Sequence, residues 1–185
     1  MKFRGIIGFS LLCASLNACN GSAVNNDDDT TALKPVKPVI IVDKQSLMFA
    51  ATAASIGLTE IELGKLAIKN GVDKRIKNFG AMMIKDHAKA NTKLEVIARA
   101  KKISLPDTIT FAEQSRVAAL AKSNGKDFDK AYMKAMVIDH EDEIKVFNDA
   151  SKQLMDPELR GYASKNVLTL KRHLDAVNMI RASMK

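Results

Sequence analysis

From Lys44 onward the apolar residues recur at spacings of three and four, and no stretch keeps the period of two that a half-buried strand requires. Ala, Leu, Lys, Met and Glu dominate this stretch, and only Pro106 and Pro157 interrupt it. Helix formers at this density predict an all-α domain. The breaks in the pattern divide it. A first helix over 45–70 stops at "NGVD", where Gly71 ends it and Asp73 caps the next start. A second covers 73–101 and is broken by "KISLPDTIT"; a shorter one follows over 109–122. "SNGKDFD" supplies another stop and cap, and a fourth helix covers 127–153. "MDPE" then places Asp156 before Pro157, a cap with proline at the first helical position, and a fifth helix runs onward from there. Four long helices and a short one predict a four-helix bundle made of two hairpins joined by a helical crossover.

The same wheel, at about 100° per residue, shows where the histidines point. The apolar face of the second helix is Ile76, Phe79, Met83, Ile84, Leu94 and Ile97, and His87 falls at its centre. In the fourth it is Tyr132, Met133, Met136, Val137, Ile144 and Phe147, with His140 central; in the fifth it is Leu159, Tyr162, Leu170, Val177 and Ile180, with His173 in the middle. All three histidines of the chain therefore face inward, at similar heights. His140 and His173 are equidistant from the "MDPE" turn, so they are expected to meet across that hairpin.

The first helix carries "TEIELG" instead of a histidine. Glu60 lies on the stripe of Ile56, Leu63 and Ala67, and Glu62 at its edge. Glu143 follows His140 by three and shares its face, while Asp86 and Asp139 immediately precede their histidines on the flank. A layer of three imidazoles and one or two carboxylates is thus expected near mid-bundle. Buried ionisable groups are costly unless they satisfy one another or bind an ion. One reading is a transition-metal ion held by Glu60, His87, His140, His173 and Glu143, with Glu62, Asp86 and Asp139 at its rim steadying the ligands. The other is a metal-free hydrogen-bonded network that sets helix register.

The first forty residues are of another kind. "MKFRGIIGFSLLCASLNAC" has two early cations, a short apolar run and then small residues, the plan of a secretory signal. "LNAC" resembles the lipobox of bacterial lipoproteins; that resemblance implies cleavage after residue 18, lipid on Cys19 and membrane attachment through that lipid. Cys13 would leave with the signal, so no disulfide is expected. Residues 19–44 are polar, with Asp27, Asp28 and Asp29 together and prolines at 35 and 38, and read as a flexible tether to a helical domain over 45–185. Asn20 is not the aspartate associated with inner-membrane retention, so the expected location is the outer membrane, with the domain facing the periplasm.

Charge changes the picture little. The formal net charge is +8, but cations and anions are interspersed, which suits a solvated surface better than nucleic acid. Attraction to anionic headgroups is a minor further reading. No Gly-rich phosphate loop, Gly-x-Ser-x-Gly elbow or cysteine pair for zinc occurs, so no catalytic residue is assigned. The paired Met82 and Met83, with Met133 and Met136, have core spacing.

The segments "IGLTEIELGKLAIKNGVDKRIKNFGAMMIKDHAKAN", "ISLP", "FDKAYMKAMVIDHEDEIKVF" and "DPELRGYASKNVLTLKRHL" together resemble the exported bacterial family known as domain of unknown function 4142. The resemblance spans about Leu47 to Leu174 and implies a ferritin-like bundle in an outer-membrane-associated protein. It implies no activity. Carboxylate-rich di-iron sites place a glutamate three residues before each ligand histidine. Here those positions are Ile84, Val137 and Leu170, so a histidine-rich site for a single ion is the expectation.

Overall fold

The computed structural model describes residues 42–184. The segment expected to be a signal peptide, Cys19 as the expected lipid site and most of the expected tether lie outside the described residues. Five helices follow in order: α1 (Lys44–Asn70), α2 (Lys74–Lys101), α3 (Phe111–Leu120), α4 (Gly125–Gln153) and α5 (Pro157–Ala182). Among the described residues there is no strand.

The ends are set by local chemistry. Asp43, Asp73 and Asp156 each accept a backbone N–H at the start of α1, α2 and α5, and Thr110 does so for α3. The fourth helix starts two residues earlier than its pattern predicts. Gly125 takes a φ of 64°, a left-handed value open to glycine at little cost, and Asn124 occupies the cap position.

The hairpins α1–α2 and α4–α5 pack face to face, α1 against α4 and α2 against α5, while α3 lies across α1 and α4. Every neighbouring pair of long helices is antiparallel. The connection from α2 to α4 returns along the full length of the bundle, which is the ferritin-like layout. Two side chains fix the register at opposite ends. Asp129 of α4 accepts the backbone N–H groups of Val72 and Asp73 at the α1–α2 turn. Lys101 at the end of α2 reaches Asp156 at the start of α5 at 2.7 Å.

The core divides in two along the bundle axis. One cluster holds Phe49, Leu94, Phe147, Leu154, Tyr162 and Leu170; the other holds Leu63, Phe79, Met83, Tyr132, Met136 and Val177. Between them on their helices fall Glu60, His87, His140, Glu143 and His173, all buried. Burying each large apolar side chain contributes roughly 1.5–3 kcal/mol, and this is what offsets the cost of the polar layer. By length and composition α1 is apolar enough to cross a bilayer, but half of its apolar window faces the bundle interior.

The first hairpin is held close by two glycines. A methyl group on Gly80 would lie 2.7 Å from the Cβ of Ala67 and from the carbonyl oxygen of Gly64. Neither contact can be relieved without moving a helix. Gly80→Ala is therefore expected to destabilise the protein by about 1–3 kcal/mol through forced separation of α1 and α2. Denaturant unfolding checks this, and an unchanged midpoint would show that the hairpin yields freely.

Candidate metal centre

Three helices deliver the imidazoles. His87 comes from α2, His140 from α4 and His173 from α5, with 6%, 0% and 2% of their surface exposed. A ring nitrogen from each lies within 4.8 Å of the other two. Ring centroids are 6.2 Å apart for His87 and His140, 5.5 Å for His87 and His173, and 5.3 Å for His140 and His173.

Hydrogen bonding decides which nitrogens are free. Nδ1 of His140 is 2.8 Å from the carbonyl oxygen of Met136. A carbonyl only accepts, so this nitrogen carries the hydrogen and Nε2 is left with a lone pair. Nε2 of His173 lies 3.0 Å from Oδ2 of Asp86. The carboxylate accepts, so Nε2 carries the hydrogen there and Nδ1 keeps its lone pair. The two nitrogens thus left bare, Nε2 of His140 and Nδ1 of His173, are the pair that face each other at 3.3 Å. In neutral rings both are acceptors. Nothing holds them together unless a cation sits between them.

His87 supplies the third donor. Its Nε2 is buried and has no hydrogen-bond partner. Buried polar atoms are normally satisfied, and one that is not calls for an unseen partner. The electrostatics favour the neutral, ligating form. Burial, reinforced by the other two imidazoles, holds His87 well below the usual histidine range; burial and His173 bring His140 down to about 4. Burial lowers His173 as well, with the Asp86 contact opposing it. Metal–imidazole bonds are about 2.0–2.1 Å long, so two such ligands at a tetrahedral angle stand about 3.3–3.4 Å apart. The His140–His173 contact already has that spacing, and the three histidines can hold a metal ion.

The carboxylates expected in the same site take other places. Glu60 of α1 and Glu143 of α4 are buried at the same level, yet neither belongs to the cluster of mutually close ligand atoms. They face each other on the α1–α4 side of the bundle, within hydrogen-bonding reach, where only a shared proton makes the contact attractive. Burial, with the nearby Asp139 carboxylate, pushes Glu60 up to about 8, and burial with Glu60 raises Glu143.

The rim also differs from expectation. Glu62 turns to solvent and pairs with Lys65 at 2.6 Å, because its wheel position clears the α1 core stripe. Asp86 does steady an imidazole, but that of His173 across the helix interface instead of its neighbour His87. Asp139 reaches no histidine. Arg116 of α3 takes both its oxygens, at 2.9 and 2.7 Å, and also binds Glu113. The role of Arg116 is not readable from the sequence, although it is the one arginine of the crossover helix.

Glu60 generates a pH prediction. A carboxyl whose folded pKa lies above its unfolded value of 4.5 leaves the native chain holding more protons between those values. Stability therefore falls as pH rises from about 4.5 through about 8. Glu60→Gln, which cannot ionise, should melt close to the parent near pH 4 and progressively above it towards pH 8. Thermal unfolding across that range is the check, and parallel curves for the two proteins would contradict the burial argument.

Comparison with known proteins agrees with this architecture. A crystal structure of a DUF305 fragment from Deinococcus radiodurans superposes with a TM-score of 0.68, covering 78% of this chain and all of that one, at 10% sequence identity. At that identity the likeness is one of fold. No curated protein matches. The family model described as Domain of unknown function (DUF4142) matches residues 41–180, nearly all of the bundle, and the chain therefore belongs to the DUF4142 family.

Proposed function

We propose that this protein binds one transition-metal ion through His87, His140 and His173, and serves in metal handling or stress defence at the bacterial envelope. The observation that carries the reading is the facing pair of lone-pair nitrogens at 3.3 Å, with the orphaned Nε2 of His87 beside them. Three neutral imidazoles suit ions such as zinc, copper, iron or nickel. Asp86 would fix the tautomer of His173, and the Met136 carbonyl that of His140, the usual supporting arrangement around ligating imidazoles. The lipobox-like "LNAC" supports attachment through Cys19 and an outer-membrane location. No catalytic step is assigned.

The hydrogen bonds also favour a second reading. If His173 were protonated on both nitrogens, it would donate to Asp86 and to Nε2 of His140 at once, forming a metal-free network. His87 separates the two readings because it makes no hydrogen bond through Nε2. The metal reading needs His87, and the network does not.

A ligand that binds only the native state stabilises it by about 2.7 kcal/mol at a hundredfold excess over its dissociation constant. At least one of zinc, copper, iron, nickel or manganese should accordingly raise the Tm of the chelator-treated protein by several degrees. His87→Leu should remove that rise while melting at or above the parent without metal, since it replaces an unsatisfied buried group by an apolar one. Failure of all five metals to shift the Tm would leave the metal-free network standing.

A further inference from the structure

A second feature lies on the α1–α4 side of the bundle, away from the three imidazoles. A cavity of about 560 Å³ opens between α1, α4 and the crossover segment that carries α3. That size is typical of small-molecule sites and far exceeds what a bare ion needs. Glu60 and Glu143 line its inner side, and Ala51, Ile56, Pro106 and Val146 supply apolar wall.

Charge decides what it can hold. Glu60, Glu113, Asp139, Asp142 and Glu143 line the cavity against a single cation, Arg116. Arg116 is already bound by Glu113 and Asp139, so nothing is free to attract an anion. In a chain of net charge +8 this is a local acidic surplus. One oxygen of Glu60 and one of Glu143 are buried with no donor but the proton the two acids share, and the two residues are 1% and 5% exposed. A single shared proton leaves the pair short of donors, and both side chains line the cavity from which one can come. A hard divalent ion is a poor fit, since it takes six or more oxygen ligands and Asp139 is committed to Arg116.

We infer that this cavity binds a small organic cation, with an ammonium group seated against Glu60 and Glu143 and a hydrocarbon part along Ala51, Ile56 and Val146. The ammonium donates to carboxyl oxygens of the pair and takes the place of the proton they share, which passes to solvent. The apolar wall removes the alkyl chain from water. This site does not depend on metal at the histidines.

The test uses the full chain, treated with chelator, and titration calorimetry with n-butylammonium and 1,4-diaminobutane as probes. Butanol and butyrate serve as neutral and anionic counterparts of the same length. At least one ammonium should bind with one-to-one stoichiometry and neither counterpart should. Glu60→Gln combined with Glu143→Gln should weaken binding by about tenfold or more, through loss of the charge-assisted bonds. Should that double variant not fold, Ala51→Phe, which fills the cavity from a half-buried position, is expected to abolish binding in its stead. The inference is overturned if no ammonium binds, if butanol binds equally well, or if manganese displaces the ammonium by occupying the carboxyl pair. Stripping or restoring metal at the histidines should leave the ammonium affinity unchanged, so the two sites stand or fall separately.

Discussion

The contact between His140 and His173 governs how the rest of this bundle is to be understood. Two ring nitrogens, each left bare by a hydrogen bond on the far side of its ring, meet at 3.3 Å in an interior that excludes water. Lone pairs at that separation repel, and a low local dielectric makes the repulsion worse. A cation relieves it, whether metal or proton. Much of the surrounding architecture holds the two rings in this position: the Asp156 cap and Lys101 bridge set the α4–α5 turn against α2, and Asp86 reaches across from α2 to orient His173.

The polar layer also explains the division of the core. Continuous apolar packing along four helices would be more stable, since buried ionisable groups commonly cost more than they return. Here two apolar clusters flank a level that carries five titratable side chains. The layer is further divided across its width. Imidazoles occupy the α2–α4–α5 side and the carboxyl pair the α1–α4 side, with α4 contributing to both through His140 and Glu143. That arrangement keeps neutral nitrogen donors apart from groups that would exchange protons with them, and leaves a cavity beside the acids.

The crossover gives α3 a role beyond connection. Arg116 neutralises Asp139, which would otherwise face the buried carboxyls as a third unpaired acid. Its position over α1 and α4 also closes one wall of the cavity. With Arg116 committed in this way, the cavity retains an excess of acceptors, and its ligand preference follows from that bond.

Much of this was legible in the chain itself. Capping residues and glycines placed the helices to within about two residues, because those signals act locally on backbone N–H and C=O groups. Helical periodicity set the inward direction of His87, His140 and His173, and counting from the "MDPE" turn brought the last two together. Only tertiary structure decided the partners. A wheel assigns an angle and a height, but not which helix stands opposite, so Asp86 serves His173 instead of His87, and Asp139 is drawn to an arginine of the crossover. It also separated Glu60 and Glu143 from the imidazoles, because the order of helices around the bundle puts α1 against α4 and away from the three-histidine side, a choice made by the packing of whole hairpins and not by any local run of residues.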